Sequence, residues 1–268
     1  MNKVTYGEIM AVAAGFAIIK TLMEKENKIF FATSSLIIIF ALVLSQTRGA
    51  ILGLMTILFV CLILIKHKRK NIVLFLLAFL AFNAVFLTFN SYVRTRLFSI
   101  PKGMIRIATG NLFEKIESTS MIDGSAQIRL IMWKTGIKII KDYPVFGVGP
   151  RGLEKIVDKY CPYLPQVEKA WSNLHNLYLH QAAERGLFGL FALLFLLFSI
   201  LYKGIVFLKK TNGMFSLAAV STMCGFLVMN LTETSFQHAV ISMAVFFIFS
   251  LGFREVFNHD NLNSEHRS

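Results

Sequence analysis

Apolar residues in this chain come in long blocks rather than in the threes and fours of a helix with one wet face. Charge-free runs occupy 29 to 44, 49 to 65, 72 to 89, 186 to 202, 214 to 230 and 236 to 253. Each is near the ~20 residues that a bilayer-spanning helix needs. The pattern predicts six transmembrane helices. A seventh, weaker run covers about 7 to 23, where Glu8 and Lys20 bracket an apolar stretch of 9 to 19. That stretch has the length of a signal-peptide core, yet no convincing cleavage site follows it before Lys25. A retained helix with Lys20 reaching back to the interface is the favoured reading, and a cleaved signal is the alternative. The expected fold class is therefore all-α: a polytopic transmembrane bundle of six or seven spans with a large external, partly helical loop.

Loop charge sets the orientation. Lys66-His67-Lys68-Arg69-Lys70 and the group Lys203, Lys209 and Lys210 fill short loops between spans, and such basic loops belong on the cytoplasmic side. Alternation then puts Arg48, the segment 90 to 173 and the turn 231 to 235 together outside. The expected organisation is N-terminal transmembrane helices over 1–89, an external cap over 90–173, C-terminal transmembrane helices over 174–253 and a cytoplasmic tail over 254–268.

Composition agrees with a lipid-facing chain. Hydrophobic residues make up 55% and charged residues 16% of the sequence, and the mean hydropathy is +0.61, too apolar for a soluble protein. The net charge of +13 is divided between cytoplasmic loops and the external segment. Anionic lipid, not nucleic acid, is the expected partner. Cys61, Cys161 and Cys224 have neither metal-ligand spacing nor an external pair, so no disulfide framework is expected.

The external segment carries 13 Lys/Arg against 7 Asp/Glu. Its clearest helix is 127 to 141, which follows Asp123-Gly124-Ser125 and stops at Asp142-Tyr143-Pro144. Basic and apolar residues interleave there as on an interfacial helix. Gly147-Val148-Gly149-Pro150-Arg151-Gly152 comes next. It lacks the ending of a P-loop, and its amides either touch substrate or simply turn the chain.

Arg48 lies in the short gap between two apolar runs, so its guanidinium stays close to the membrane surface. Its planar fork of donors suits phosphate oxygens, which makes a lipid-linked phosphate a natural ligand; the competing reading is an interfacial anchor. If 173 to 202 form one helix, His175, Tyr178, Ala182, Gly186 and Gly189 share a face. Small residues on that face would admit a neighbouring helix and leave His175 at the mouth of a crevice. Imidazole titrates near neutral pH and can take a proton from a hydroxyl, although interfacial packing also explains such a histidine. His180, His238, Glu184, Arg185 and Glu233 read as structural or interfacial. Asp-x-Asp, His-Glu-x-x-His and Gly-x-Ser-x-Gly motifs are absent from the sequence, which leaves arginine and histidine as the chemistry-bearing residues and no metal or cofactor expected.

Three segments in order resemble the O-antigen ligase and polymerase family of bacterial membrane glycosyltransferases. They are Ser45-Gln46-Thr47-Arg48-Gly49-Ala50 at the start of a span; Arg129 ahead of Trp133 and the turn Pro144-Val145-Phe146-Gly147-Val148-Gly149; and His175-Asn176 ahead of Gly186-Leu187-Phe188-Gly189. They cover about 40 to 200. The resemblance implies a metal-independent, inverting transfer of a glycan from an undecaprenyl-pyrophosphate carrier to a hydroxyl acceptor, in envelope polysaccharide biosynthesis at the cell membrane. Arg48 and Arg129 would hold the pyrophosphate and His175 would deprotonate or position the acceptor. Arg151, Asn176 and Tyr178 join them as substrate-binding candidates, and other polysaccharide assembly proteins are expected partners. Family members usually have about ten or more spans, so the chain looks like their C-terminal half. A partner or further helices would then complete the groove. Two other readings are a flippase for lipid-linked glycan and a non-catalytic, truncated family member; a transporter ordinarily places ionisable groups within its spans, whereas the six strong runs hold no Asp, Glu, Lys or Arg.

Overall fold

The computed structural model describes residues 3–24, 26–89, 124–162 and 173–265. Within the expected external segment, 90–123 and 163–172 lie outside the described residues. Every regular element among the described residues is helical: α1 (Lys3–Met23), α2 (Lys28–Ser45), α3 (Arg48–Leu64), α4 (Arg69–Phe89), α5 (Gly124–Asp142), α6 (Gly152–Tyr160), α7 (Leu177–Thr211), α8 (Met214–Met229) and α9 (Ala239–Glu265), with short 3₁₀ turns at Lys66–Lys68 and Ser235–Gln237. The apolar runs of the sequence all fall on helices. Among the described residues α1, α2, α7 and the Ala239–Leu262 part of α9 are long and apolar enough to cross a membrane, and α3 and α8 are shorter apolar helices. The fold is a polytopic helical membrane bundle.

The helices group into two compact units, Met1–Phe79 with Leu190–Ser268, and Leu80–Gly189. In the first, α1 packs against α2, α3, α8 and α9, and α3 packs against α8. The weak run near the N-terminus is thus a packed member of the bundle, with Ala11, Ala14, Ile18 and Ile19 fully buried. At the α3–α8 crossing a Cβ on Gly225 would collide with Ile57 and with the Gly53 carbonyl; a small residue lets the two backbones approach where hydrocarbon gives helices no other reason to associate. Outward-facing residues are large and apolar. Phe191, Phe195, Phe198 and Tyr202 of α7 are exposed at spacings of four, three and four, a stripe suited to acyl chains. At the far end Glu255 accepts from the Ser216 amide and hydroxyl, both at 2.8 Å, placing a carboxylate on the N-terminal amides of α8.

The second unit has its own small core. Met132 and Ile139 of α5, Leu153 and Val157 of α6, then Cys161, Leu174 and Ala183, form one buried cluster. The spacing explains it: Met132, Thr135, Gly136 and Ile139 face inward, while Lys134, Ile137, Lys138 and Lys141 face out. Each large apolar side chain buried this way contributes roughly 1.5–3 kcal/mol. The helix expected at 127 to 141 is present and longer by a few residues at its start.

Candidate functional site

The second unit is organised around a break in α7. Gly186 has φ 68° and ψ −175° inside an otherwise helical run, a conformation essentially reserved for glycine. The break strips the adjoining turns of their helical partners, and the segment 144–149 supplies replacements. Val148 and Gly149 donate their amides to the carbonyls of Ala183 (3.0 Å) and Glu184 (2.8 Å), while the amides of Leu187 and Phe188 donate to Pro144 (2.7 Å) and Val145 (3.4 Å). Backbone groups at the entrance of an apolar run have little water to turn to, so the exchange is required rather than decorative. It also demands close approach. A Cβ on Gly186 would collide with the Val145 carbonyl, and one on Gly147, at φ 67°, with the Glu184 backbone. Two sequence motifs that lie about forty residues apart are therefore two halves of one joint. Of the two readings of this glycine-rich segment, the structure bears out the turn of the chain: the Val148 and Gly149 amides are engaged in the joint, and the Gly152 amide donates to Gly149.

A second tie joins α5 to the chain ahead of α7. The Trp133 indole Nε1 donates to the Leu174 carbonyl at 2.8 Å, and Gly136 offers Leu174 a place where a Cβ would collide. Arg129 stands four residues before Trp133, on the same face of α5 one turn away. His175 follows Leu174 directly. Arg129 and His175 thus belong to segments fastened to each other within one unit.

His175 itself is not helical, which corrects the expectation of one helix over 173 to 202. It sits at φ 47° with its amide donating to Asn173 Oδ1 at 2.8 Å. Asn176 is buried, and its Oδ1 accepts the Leu179 amide at 3.0 Å. That is an N-cap, and it starts α7 at Leu177 rather than at residue 173. Tyr178 is half-buried in the first turn. The shared face with Ala182, Gly186 and Gly189 does not form, because the helix begins after His175 and breaks at Gly186. Arg151 is exposed at φ 57° ahead of α6, with its Nε 3.5 Å from Glu154 Oε1. Arg48 belongs to the other unit. It is the first residue of α3, half-buried, between Thr47, whose hydroxyl donates to the Lys3 carbonyl at 3.2 Å, and Gly49, which abuts the Thr232 hydroxyl.

Glu184, which the sequence reads as interfacial, is buried, and so is Glu8 at the edge of the first apolar stretch. Glu184 is 7% exposed, 3.5 Å from the similarly buried His180 Nε2, and its carboxylate accepts the Arg151 backbone amide. Their spacing of four on one helix was the available signal. Glu8 is fully buried in the first unit, where the Ser235 hydroxyl donates to its Oε1 at 2.6 Å. Beside it, buried Asn230 accepts the Phe236 amide at 2.9 Å and donates to the Phe226 carbonyl at 2.8 Å. These residues and buried Glu233 and Thr234 make the 230–238 turn a polar cluster at the end of an apolar bundle. No sequence spacing links Glu8 to a serine more than two hundred residues away.

Comparison with known proteins covers the second unit and part of the first. A family model described as O-antigen ligase matches residues 33–194, a range that takes in Arg48, Arg129, Arg151, His175 and both halves of the Gly186 joint. An uncharacterized protein of Haemophilus influenzae is 25% identical over 214 residues, which cover 77% of this chain and 51% of that protein. The chain spans about half the length of that curated relative. With more than half of its length matched by the family model and its apolar helices in place, this multi-pass bacterial membrane protein belongs to the O-antigen ligase family.

Proposed function

We propose that the chain carries the transfer site of a membrane glycosyltransferase that moves a glycan from an undecaprenyl-pyrophosphate carrier to a hydroxyl acceptor outside the cytoplasm. In this reading Arg48 and Arg129 bind the pyrophosphate, and His175 takes the acceptor proton. The hydroxyl oxygen attacks the anomeric carbon opposite the leaving group, the bond from that carbon to the pyrophosphate oxygen breaks, and the electron pair leaves with the pyrophosphate. One displacement of this kind inverts the anomeric configuration. Charge accumulates on the leaving pyrophosphate, and fixed guanidinium groups stabilise such charge without reorganising. Two arginines take the part a metal plays elsewhere.

One observation carries the reading: the Trp133–Leu174 hydrogen bond fastens the helix of Arg129 to the residue before His175. Asn176 fixes where α7 begins, Tyr178 stands in its first turn, and Arg151 reaches from a nearby turn to the glycan. We favour a polysaccharide polymerase, with a growing chain as acceptor, over transfer to a lipid core. The test is polymer formation in membranes from cells carrying Arg48→Ala, Arg129→Ala or His175→Ala. Each variant should remain in the membrane and make no polymer; normal polymer from any two of them overturns the assignment.

A further inference from the structure

The turn between α5 and α6 ends in a bare apolar tip. Phe146 is 77% exposed, Tyr143 and Val145 are exposed beside it in the chain, and across the joint Phe188 is 69% exposed with Leu187. Turns ordinarily use small polar residues, so a Tyr-Pro-Val-Phe turn needs another reason. A cluster of large exposed apolar residues marks a surface that something covers.

Two observations say what covers it. The amides of Leu187 and Phe188 are bonded to Pro144 and Val145, and these two residues open the charge-free run 186 to 202 of a helix apolar enough to cross a membrane. The tip is therefore held at the depth where that run begins. The helix that leads into the tip is also charged on its outer face: Lys134, Lys138 and Lys141 lie with Ile137 on the exposed side of α5. Apolar residues next to a row of lysines match acyl chains beneath anionic headgroups, the arrangement of an interfacial helix. A second copy of this chain would instead set the lysine row against a strongly basic protein of net charge +13.

We infer that the Tyr143–Phe146 tip, with Leu187 and Phe188, inserts into the adjoining lipid leaflet while Lys134, Lys138 and Lys141 rest on its anionic headgroups. The inference stands independently of the reaction proposed above. If both hold, the leaflet fixes the height of His175 relative to a lipid-borne pyrophosphate.

The experiment uses the full chain in vesicles of phosphatidylethanolamine and phosphatidylglycerol, with the emission added by Phe146→Trp measured against the parent, whose two native tryptophans serve as background. Phe188→Trp is measured in parallel in case the first variant folds poorly. Bromines placed on the acyl chains near the headgroup should quench the added emission at least about twofold, and aqueous iodide should leave it nearly unchanged. Replacing the three lysines by glutamine should weaken the bromolipid quenching in anionic vesicles and change it little in neutral ones. Quenching by iodide with none by bromolipid overturns the inference. So does emission that neither quencher reaches and that varies with protein concentration, which would assign the tip to a second copy.

Discussion

Trp133 Nε1 donates to the Leu174 carbonyl at 2.8 Å, across 41 positions of sequence. The carbonyl belongs to a residue only 1% exposed. Losing the indole leaves a buried acceptor unpaired, at about 1–3 kcal/mol, and frees the segment that presents His175. A shift of about 1 Å in a reacting group can cost on the order of a hundredfold in rate. Trp133→Phe is expected to lower polymer synthesis at least tenfold at unchanged protein level in the membrane. Polymer synthesis at the parental rate would show that the tie does not position the histidine.

Gly186→Ala should be far more damaging than Gly149→Ala, although both glycines have positive φ. A methyl at 149 meets no atom within 4 Å, so its cost is backbone strain alone, roughly 1–2 kcal/mol. At 186 it strikes the Val145 carbonyl and opens a joint of four hydrogen bonds. Protease resistance of the 144–149 turn in detergent, without a leaflet to shield it, measures the difference. Equal resistance in the two variants would contradict the joint.

Ser235→Ala removes a donor from the buried Glu8 carboxylate. A buried acceptor that loses its partner costs about 1–3 kcal/mol. The variant should unfold several degrees lower in detergent, at about 2–4 °C per kcal/mol for a chain of this size. An unchanged melting temperature would mean that the hydroxyl contributes nothing.

Tyr160 donates to Asp142 Oδ2, and this bond, ahead of a small desolvation effect and the carboxylate's charge, pushes the phenol up to about 12 from its ordinary 10. Because the folded value is raised, the stabilisation is complete below about pH 10 and disappears as pH climbs from there toward 12. The phenolate absorbance of the parent minus that of Tyr160→Phe should rise with a midpoint well above 10. A midpoint at 10 would dispose of the hydrogen bond.

The sequence displayed the spans because a membrane helix is recognised by its own composition, as at 186 to 202, and α5 because its apolar residues recur at helical spacing between clear stops. The three motifs were legible one by one. Their connection was not, since the Gly186 break and the 144–149 turn are each plausible alone as ordinary glycine punctuation, and only tertiary hydrogen bonds join them. The start of α7 is hidden for a local reason: the spacing of His175, Tyr178 and Ala182 fits a helix that already runs through His175, whereas the capping bond from the Leu179 amide to Asn176 sets the boundary after it. Burial of Glu8 is hidden for the same reason as the joint, because its partner Ser235 is brought to it only by the tertiary fold, while for Glu184 the spacing to His180 is the one local hint.

The most direct test of the central claim separates binding from transfer. Affinity for undecaprenyl-pyrophosphate-linked glycan is measured for the parent, Arg48→Ala, Arg129→Ala and His175→Ala in lipid nanodiscs, with transfer measured on the same preparations. Each arginine variant should bind about ten- to a hundredfold more weakly, the loss of roughly 1.5–3 kcal/mol of charge-assisted hydrogen bonding, while His175→Ala should bind like the parent and transfer nothing. Arginine variants that hold the carrier as tightly as the parent would contradict the account.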